Sequence, residues 1–72
     1  MESLTVILEP AEEGGFTAYI AEIPGAISEG KTEEEAISMV QDALNELLAS
    51  YREDAIKKAP SNAIVRRLGL VA

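Results

Sequence analysis

Pro24-Gly25-Ala26-Ile27-Ser28-Glu29-Gly30-Lys31-Thr32-Glu33-Glu34-Glu35-Ala36-Ile37, running on into Ser38-Met39-Val40-Gln41-Asp42-Ala43-Leu44-Asn45-Glu46-Leu47-Leu48, holds a turn, a helix start and one long helix. Thr32 followed three residues later by Glu35 is the pattern of a capping box: the Thr hydroxyl accepts from the Glu35 backbone N–H, and the Glu35 carboxylate accepts from the N–H of Thr32. Glu33, Glu34 and Glu35 place negative charge where the helix dipole is positive, and Gly30 supplies the positive φ that a sharp strand-to-helix turn often uses. Downstream, Ile37, Val40, Leu44, Leu47 and Tyr51 recur at steps of three and four, with Ala36, Ala43 and Leu48 beside them. That spacing predicts an amphipathic helix from Glu33 to about Asp54. Such a helix is roughly 33 Å long. It buries too little alone to offset the ordering of the chain, so it needs a sheet to lie on.

The flanking segments supply one. Leu4, Val6 and Leu8 alternate with Thr5, Ile7 and Glu9, the period of a half-buried first strand. Pro10-Ala11-Glu12-Glu13-Gly14-Gly15 is a hairpin loop, after which Phe16, Ala18 and Ile20 alternate with Thr17, Tyr19 and Ala21 in a second strand. Ile23-Pro24-Gly25 makes a tight turn into a short third strand, Ala26 to Glu29. Beyond the helix, Lys57 and Lys58 suit its negative end, and Pro60 biases Ala59 out of the helical region. Residues 63–71 carry enough branched side chains for a fourth strand, with Ile64, Leu68 and Leu70 on one side and Val65, Arg67 and Val71 on the other. The expected fold class is α+β: a three-stranded antiparallel sheet, one long helix packed on one face, then a C-terminal fourth strand (β-β-β-α-β), in a single domain over residues 1–72. If Leu4, Phe16 and Ile64 face the helix, then Ile7, Tyr19, Ala21, Val65 and Val71 leave an apolar second face.

Seventy-two residues are close to the size at which a lone core is marginal and self-association is a common remedy. All 13 acidic residues lie in positions 1–54 against two basic ones, Lys31 and Arg52, a balance of −11. Positions 55–72 hold Lys57, Lys58, Arg66 and Arg67, a balance of +4. An acidic body argues against phosphate-backbone binding and for a basic protein partner or simple solubility. With no cysteine there is no disulfide framework or thiolate metal site, and with no histidine the usual general base is missing. No apolar run approaches a membrane span and no basic-then-apolar leader opens the chain, so the expectation is a cytoplasmic protein away from membranes.

Three antiparallel strands followed by a helix form a partial ribonuclease-H-like arrangement, which raises the possibility of a metal-dependent nuclease. That chemistry needs several carboxylates converging on divalent cations. The strand carboxylates here are only Glu9, Glu22 and Glu29, and neither Asp42 nor Asp54 lies on a strand. Ser28, Ser38, Ser50 and Ser61 have no histidine to activate them. Phe16 and Tyr19 point to opposite sheet faces in acidic surroundings, a poor platform for nucleic-acid bases. The reading is a non-enzyme without cofactor, metal or direct nucleic-acid binding.

The run Gly15-Phe16-Thr17-Ala18-Tyr19-Ile20-Ala21-Glu22-Ile23-Pro24-Gly25, then Ile27-Ser28-Glu29-Gly30-Lys31-Thr32-Glu33-Glu34-Glu35-Ala36, resembles the HicB-type antitoxin pattern. Its marks are a Gly-aromatic-x-Ala strand, a Pro-Gly turn, a Ser-x-Gly-x-Thr helix start and a Glu-Ala pair opening the helix. The resemblance covers about residues 4 to 50. It departs where the family often has a second proline before the turn and an Asp before the Thr; here stand Glu22-Ile23 and Lys31. Many members continue into a DNA-binding domain, whereas this sequence ends at Ala72, a short form. The resemblance implies an antitoxin that occludes the RNA site of a small basic ribonuclease toxin of the HicA type. The alternative is an orphan relative that self-assembles without a toxin. Candidate partner-binding residues are Glu22, Ile23, Pro24, Ile27 and Glu29 around the turn. A homodimer or larger homo-oligomer is expected to use Ile64, Val65, Arg66, Arg67, Leu68 and Val71.

Overall fold

A computed structural model describes residues 3–69. The chain forms β1 (Val6–Pro10), β2 (Phe16–Ile20), β3 (Ile27–Gly30) and α1 (Glu33–Lys58). The three strands pair antiparallel in the order β1-β2-β3. Ala26 N–H donates to the Ile23 carbonyl at 3.2 Å, with Pro24 and Gly25 between them and Gly25 at φ 94°. That is a type II turn, whose third position requires the left-handed φ a glycine provides.

The helix starts as the capping pattern demands, with one change of partner. Glu35 N–H donates to Thr32 Oγ1 at 3.1 Å, but Glu35 Oε1 accepts from the N–H of Lys31 at 2.8 Å rather than from Thr32. Gly30 also has a different task from the expected one, because its φ is not positive. A Cβ there would lie 2.4 Å from the Ala36 backbone nitrogen and 2.7 Å from its Cα. Gly30 is the point where the first turn of α1 rests directly on β3. Small residues surround this approach: Ala18, Ala26 and Ala36 are buried with Ile20 and Val40, and Val6, Leu8, Phe16, Ile23, Leu44 and Leu47 pack half-buried around them.

The helix outruns its sheet. Twenty-six residues make a helix of about 39 Å, against roughly 17 Å for a five-residue strand. Ala36 and Val40 are the buried positions of α1, whereas Ile37, Leu48, Tyr51 and Ile56, of which the first three belong to the expected apolar stripe, stand exposed. The radius of gyration is 15.5 Å, well above the ~11 Å of a compact chain this long. Helix α1 ends four residues past the expected Asp54, at Lys58, with Ala59 extended before Pro60 as a pre-proline residue should be.

Among the described residues no fourth strand forms. Residues 63–69 make no ladder, and Ile64 is 76% and Leu68 87% exposed instead of facing the core. The long helix releases the chain beyond the end of the sheet, where no strand edge runs alongside. Leu70 and Val71 lie outside the described residues. Leu4, ahead of β1, is exposed rather than inward, while Phe16 faces the helix as expected.

Candidate functional site

The face of the sheet away from α1 is open, and register decides what it displays. Ile7 pairs with Tyr19 and Tyr19 with Ile27, so these three side chains form one row across all three strands. Glu9, Thr17 and Glu29 form the next row. Ile27 is 57% exposed and Ile7 is exposed, while Tyr19 between them is half-buried by its neighbours. Residues 1–30 contain no Lys or Arg, so the face carries a negative potential around an apolar centre.

Three hydrogen bonds fix its polar groups. Tyr19 Oη donates to a Glu9 carboxylate oxygen at 2.7 Å. That bond, then partial desolvation and the nearby Glu9 charge, all disfavour the phenolate and push the Tyr19 pKa up. Past the Val6–Ile20 end of the β1–β2 ladder, Thr5 N–H donates to Glu22 Oε1 at 2.8 Å and Thr5 Oγ1 donates to Glu22 Oε2 at 2.7 Å. The backbone bond first, and the hydroxyl bond second, hold the Glu22 carboxyl below its ordinary value.

Beside the Ile–Tyr–Ile row lies a mostly apolar hollow of about 270 Å³ formed by Tyr19, Ile20, Ile23, Pro24, Gly25, Ala26 and Ile27. Three of the expected contact residues, Ile23, Pro24 and Ile27, therefore meet at one place. Glu22 turns back toward Thr5 at the end of the hairpin, and Glu29 stands one row away beside Thr17. Ile7, Glu9 and Tyr19 complete the surface and were absent from the expected contact set. Their strand alternation marked the side they face, but only the register aligns them. Two wider hollows flank the helix start, one lined by Phe16, Lys31, Thr32, Glu33 and Glu34, the other by Glu13, Gly14, Gly15, Glu29, Gly30, Lys31 and Glu35. Among the described residues, no three His, Cys, Asp or Glu side chains gather in a geometry that could hold a metal ion. No described helix is long and apolar enough to cross a membrane. Of the residues expected to join copies, Ile64, Val65, Arg66, Arg67 and Leu68 are exposed, and Arg66 Nη1 donates to the Val65 carbonyl at 2.9 Å.

No family model matches the sequence. Individual proteins do. The chain is 47% identical over 49 residues to Antitoxin HicB 1 of Photorhabdus laumondii, covering 68% of this chain and 32% of that protein. It is 41% identical over 49 residues to Antitoxin HicB of Escherichia coli K12, covering 36% of that protein. The chain thus spans about a third of the length of these antitoxins. Against a UPF0150 protein of Synechocystis sp. it is 39% identical over 61 residues, covering 85% of both chains. With the Gly-Phe strand, the Pro24-Gly25 turn and the Thr32 cap all built as this pattern requires, the chain belongs to the HicB-type antitoxin family.

Proposed function

We propose that this domain is an antitoxin that binds a small basic ribonuclease of the HicA type and covers that protein's RNA site. The supporting observation is the open sheet face, where the Ile7, Tyr19 and Ile27 row sits among Glu9, Glu22 and Glu29 without a basic residue between Met1 and Gly30. The acidic field accelerates encounter with a basic partner and competes with RNA phosphates for its lysines and arginines. The apolar row and the adjoining hollow supply area that becomes dry on contact, with Tyr19 as the aromatic anchor. In this reading the domain performs no chemistry of its own. The test mixes the purified chain with the short basic product of a neighbouring reading frame and follows RNA cleavage and affinity. Cleavage should stop, and added salt should slow association more than it speeds dissociation. A toxin that keeps cleaving at saturating antitoxin rejects the function. Unchanged affinity with Ile27→Asp rejects this face as the site.

A second reading, a self-assembling module without a toxin, is favoured by the exposed apolar and basic tail. Ile64, Val65 and Leu68 flank Arg66 and Arg67, opposite in charge to the acidic body. In that reading the fourth strand forms only against another copy. Self-association lost in the full chain on Ile64→Asp with Leu68→Asp supports it, and self-association kept rejects it.

A further inference from the structure

The exposed side of α1 carries its own pattern. Glu34, Ile37, Gln41, Leu44, Leu48, Tyr51, Ala55 and Lys58 follow one another at strictly alternating steps of three and four, the spacing of a coiled-coil seam. This seam is distinct from the stripe that meets the sheet, where Ala36 and Val40 are buried. Ile37 is 41%, Leu48 44% and Tyr51 53% exposed, and only Leu44, at the boundary between the two stripes, is half-buried. Between its charged ends, Glu34 and Lys58, the seam carries Ile37, Leu44, Leu48, Tyr51 and Ala55, with Gln41 as the one amide among them.

We propose that this seam joins two copies of the chain as an antiparallel helix pair. The occupant is specified by the order of residues along the seam, which complements itself when reversed. Running the second helix backwards sets Glu34 against Lys58, Ile37 against Ala55, Gln41 against Tyr51 and Leu44 against Leu48, and two-fold symmetry repeats each pair. Ile37 then meets Ala55 and Leu44 meets Leu48, the Gln41 amide faces the Tyr51 hydroxyl, and opposite charges close both ends. A parallel pair would instead set Glu34 against Glu34 and Lys58 against Lys58, with aligned helix dipoles. The antiparallel register also accounts for the elongated shape. Each copy's sheet lies under the first half of its own helix, so the partner's domain occupies the space beside the overhanging half. The sheet-facing positions Val40 and Leu47 fall on the same side of the seam in both copies. Both open sheet faces are therefore left free, and the inference does not depend on what binds there.

Sedimentation of the full chain and its variants tests this. The wild type is expected to run as a dimer at tens of micromolar. Leu48→Glu changes an exposed side chain, so the circular dichroism of the monomer should persist, and the dissociation constant should rise by at least about 30-fold, the loss typical of a central interface residue. Glu34→Lys alone and Lys58→Glu alone should each weaken the dimer, by roughly threefold to tenfold, and the double swap should restore it toward the wild type. A wild type that sediments as a monomer, a dimer untouched by Leu48→Glu, or a double swap as weak as the sum of its parts each overturns the proposal. The tail-mediated assembly predicts the second of these outcomes, so the two modes are told apart in one series.

Discussion

The two halves of α1 share one continuous amphipathic pattern and yet have opposite fates. In the first half, Ala36 and Val40 are fully enclosed, because Gly30, Ala18 and Ala26 let the helix axis settle close to β2 and β3. In the second half, Leu48, Tyr51 and Ile56 stand exposed, as Ile37 and Met39 already do in the first, and after Leu47 no described residue of the helix packs against the core. Periodicity says which side of a helix is apolar; strand length says how much of that side is covered.

The contrast should break most completely at Gly30. Gly30→Val puts side-chain atoms inside the space of the Ala36 backbone, where neither partner is a flexible side chain. A loss of about 3 kcal/mol or more is expected in urea unfolding, whereas Gly69→Ala, with open space around it, should leave the midpoint unchanged. Next in size, Val40→Ala truncates the largest side chain that is fully enclosed among the described residues and should cost about 2 kcal/mol. Ile56→Ala in the overhang should stay within about 0.5 kcal/mol, measured at concentrations where the chain is monomeric. Equal effects at the two positions would show that the halves are not different after all.

Smaller again is Thr32→Ala, which removes the acceptor for Glu35 N–H and should lower stability by about 1 kcal/mol. The smallest effect concerns pH and the sheet side of the comparison. Glu22 has its folded-state pKa held below 4.5 by Thr5, so its contribution is present above 4.5 and fades as pH falls through the lower folded value. Tyr19 runs the other way: its pKa is raised above 10.0, so its bond to Glu9 contributes at neutral pH and is lost as pH climbs past that raised value. Glu22→Gln should flatten the acid side of the stability profile, and Glu9→Gln should return the Tyr19 titration toward 10.0.

Much of this was legible in the residues alone. Alternation placed three strands, and the Thr32 to Glu35 spacing placed the helix start, because both are local. The reciprocal bond to Lys31 was not legible, since a carboxylate can reach either of two adjacent N–H groups. Gly30 reads as a φ position because a glycine required for close approach and one required for φ look identical in one dimension. The branched side chains of the tail suit a strand, but strand formation needs an edge within reach, and residues 63–69 make no ladder. At the candidate site, Ile23, Pro24 and Ile27 were found because they are neighbours in sequence. Tyr19, Ile7 and Glu9 come together only through the register of the hairpin.

A sheet of three strands has two rims, and both outer strands of this one, β1 and β3, leave backbone groups without a ladder partner on their outer sides. Such rims invite another chain to add on and propagate. Here β1 closes on Glu9 and on Pro10, which has no N–H to offer, and β3 is only four residues long with Glu29 within it. Repulsion between these carboxylates keeps two rims from docking side by side. The guard is ionic, so it weakens toward the sequence pI near 4.3, where the net charge also vanishes. Acidification toward that point therefore removes the charge that keeps two such rims apart and leaves the missing N–H of Pro10 as the guard of β1.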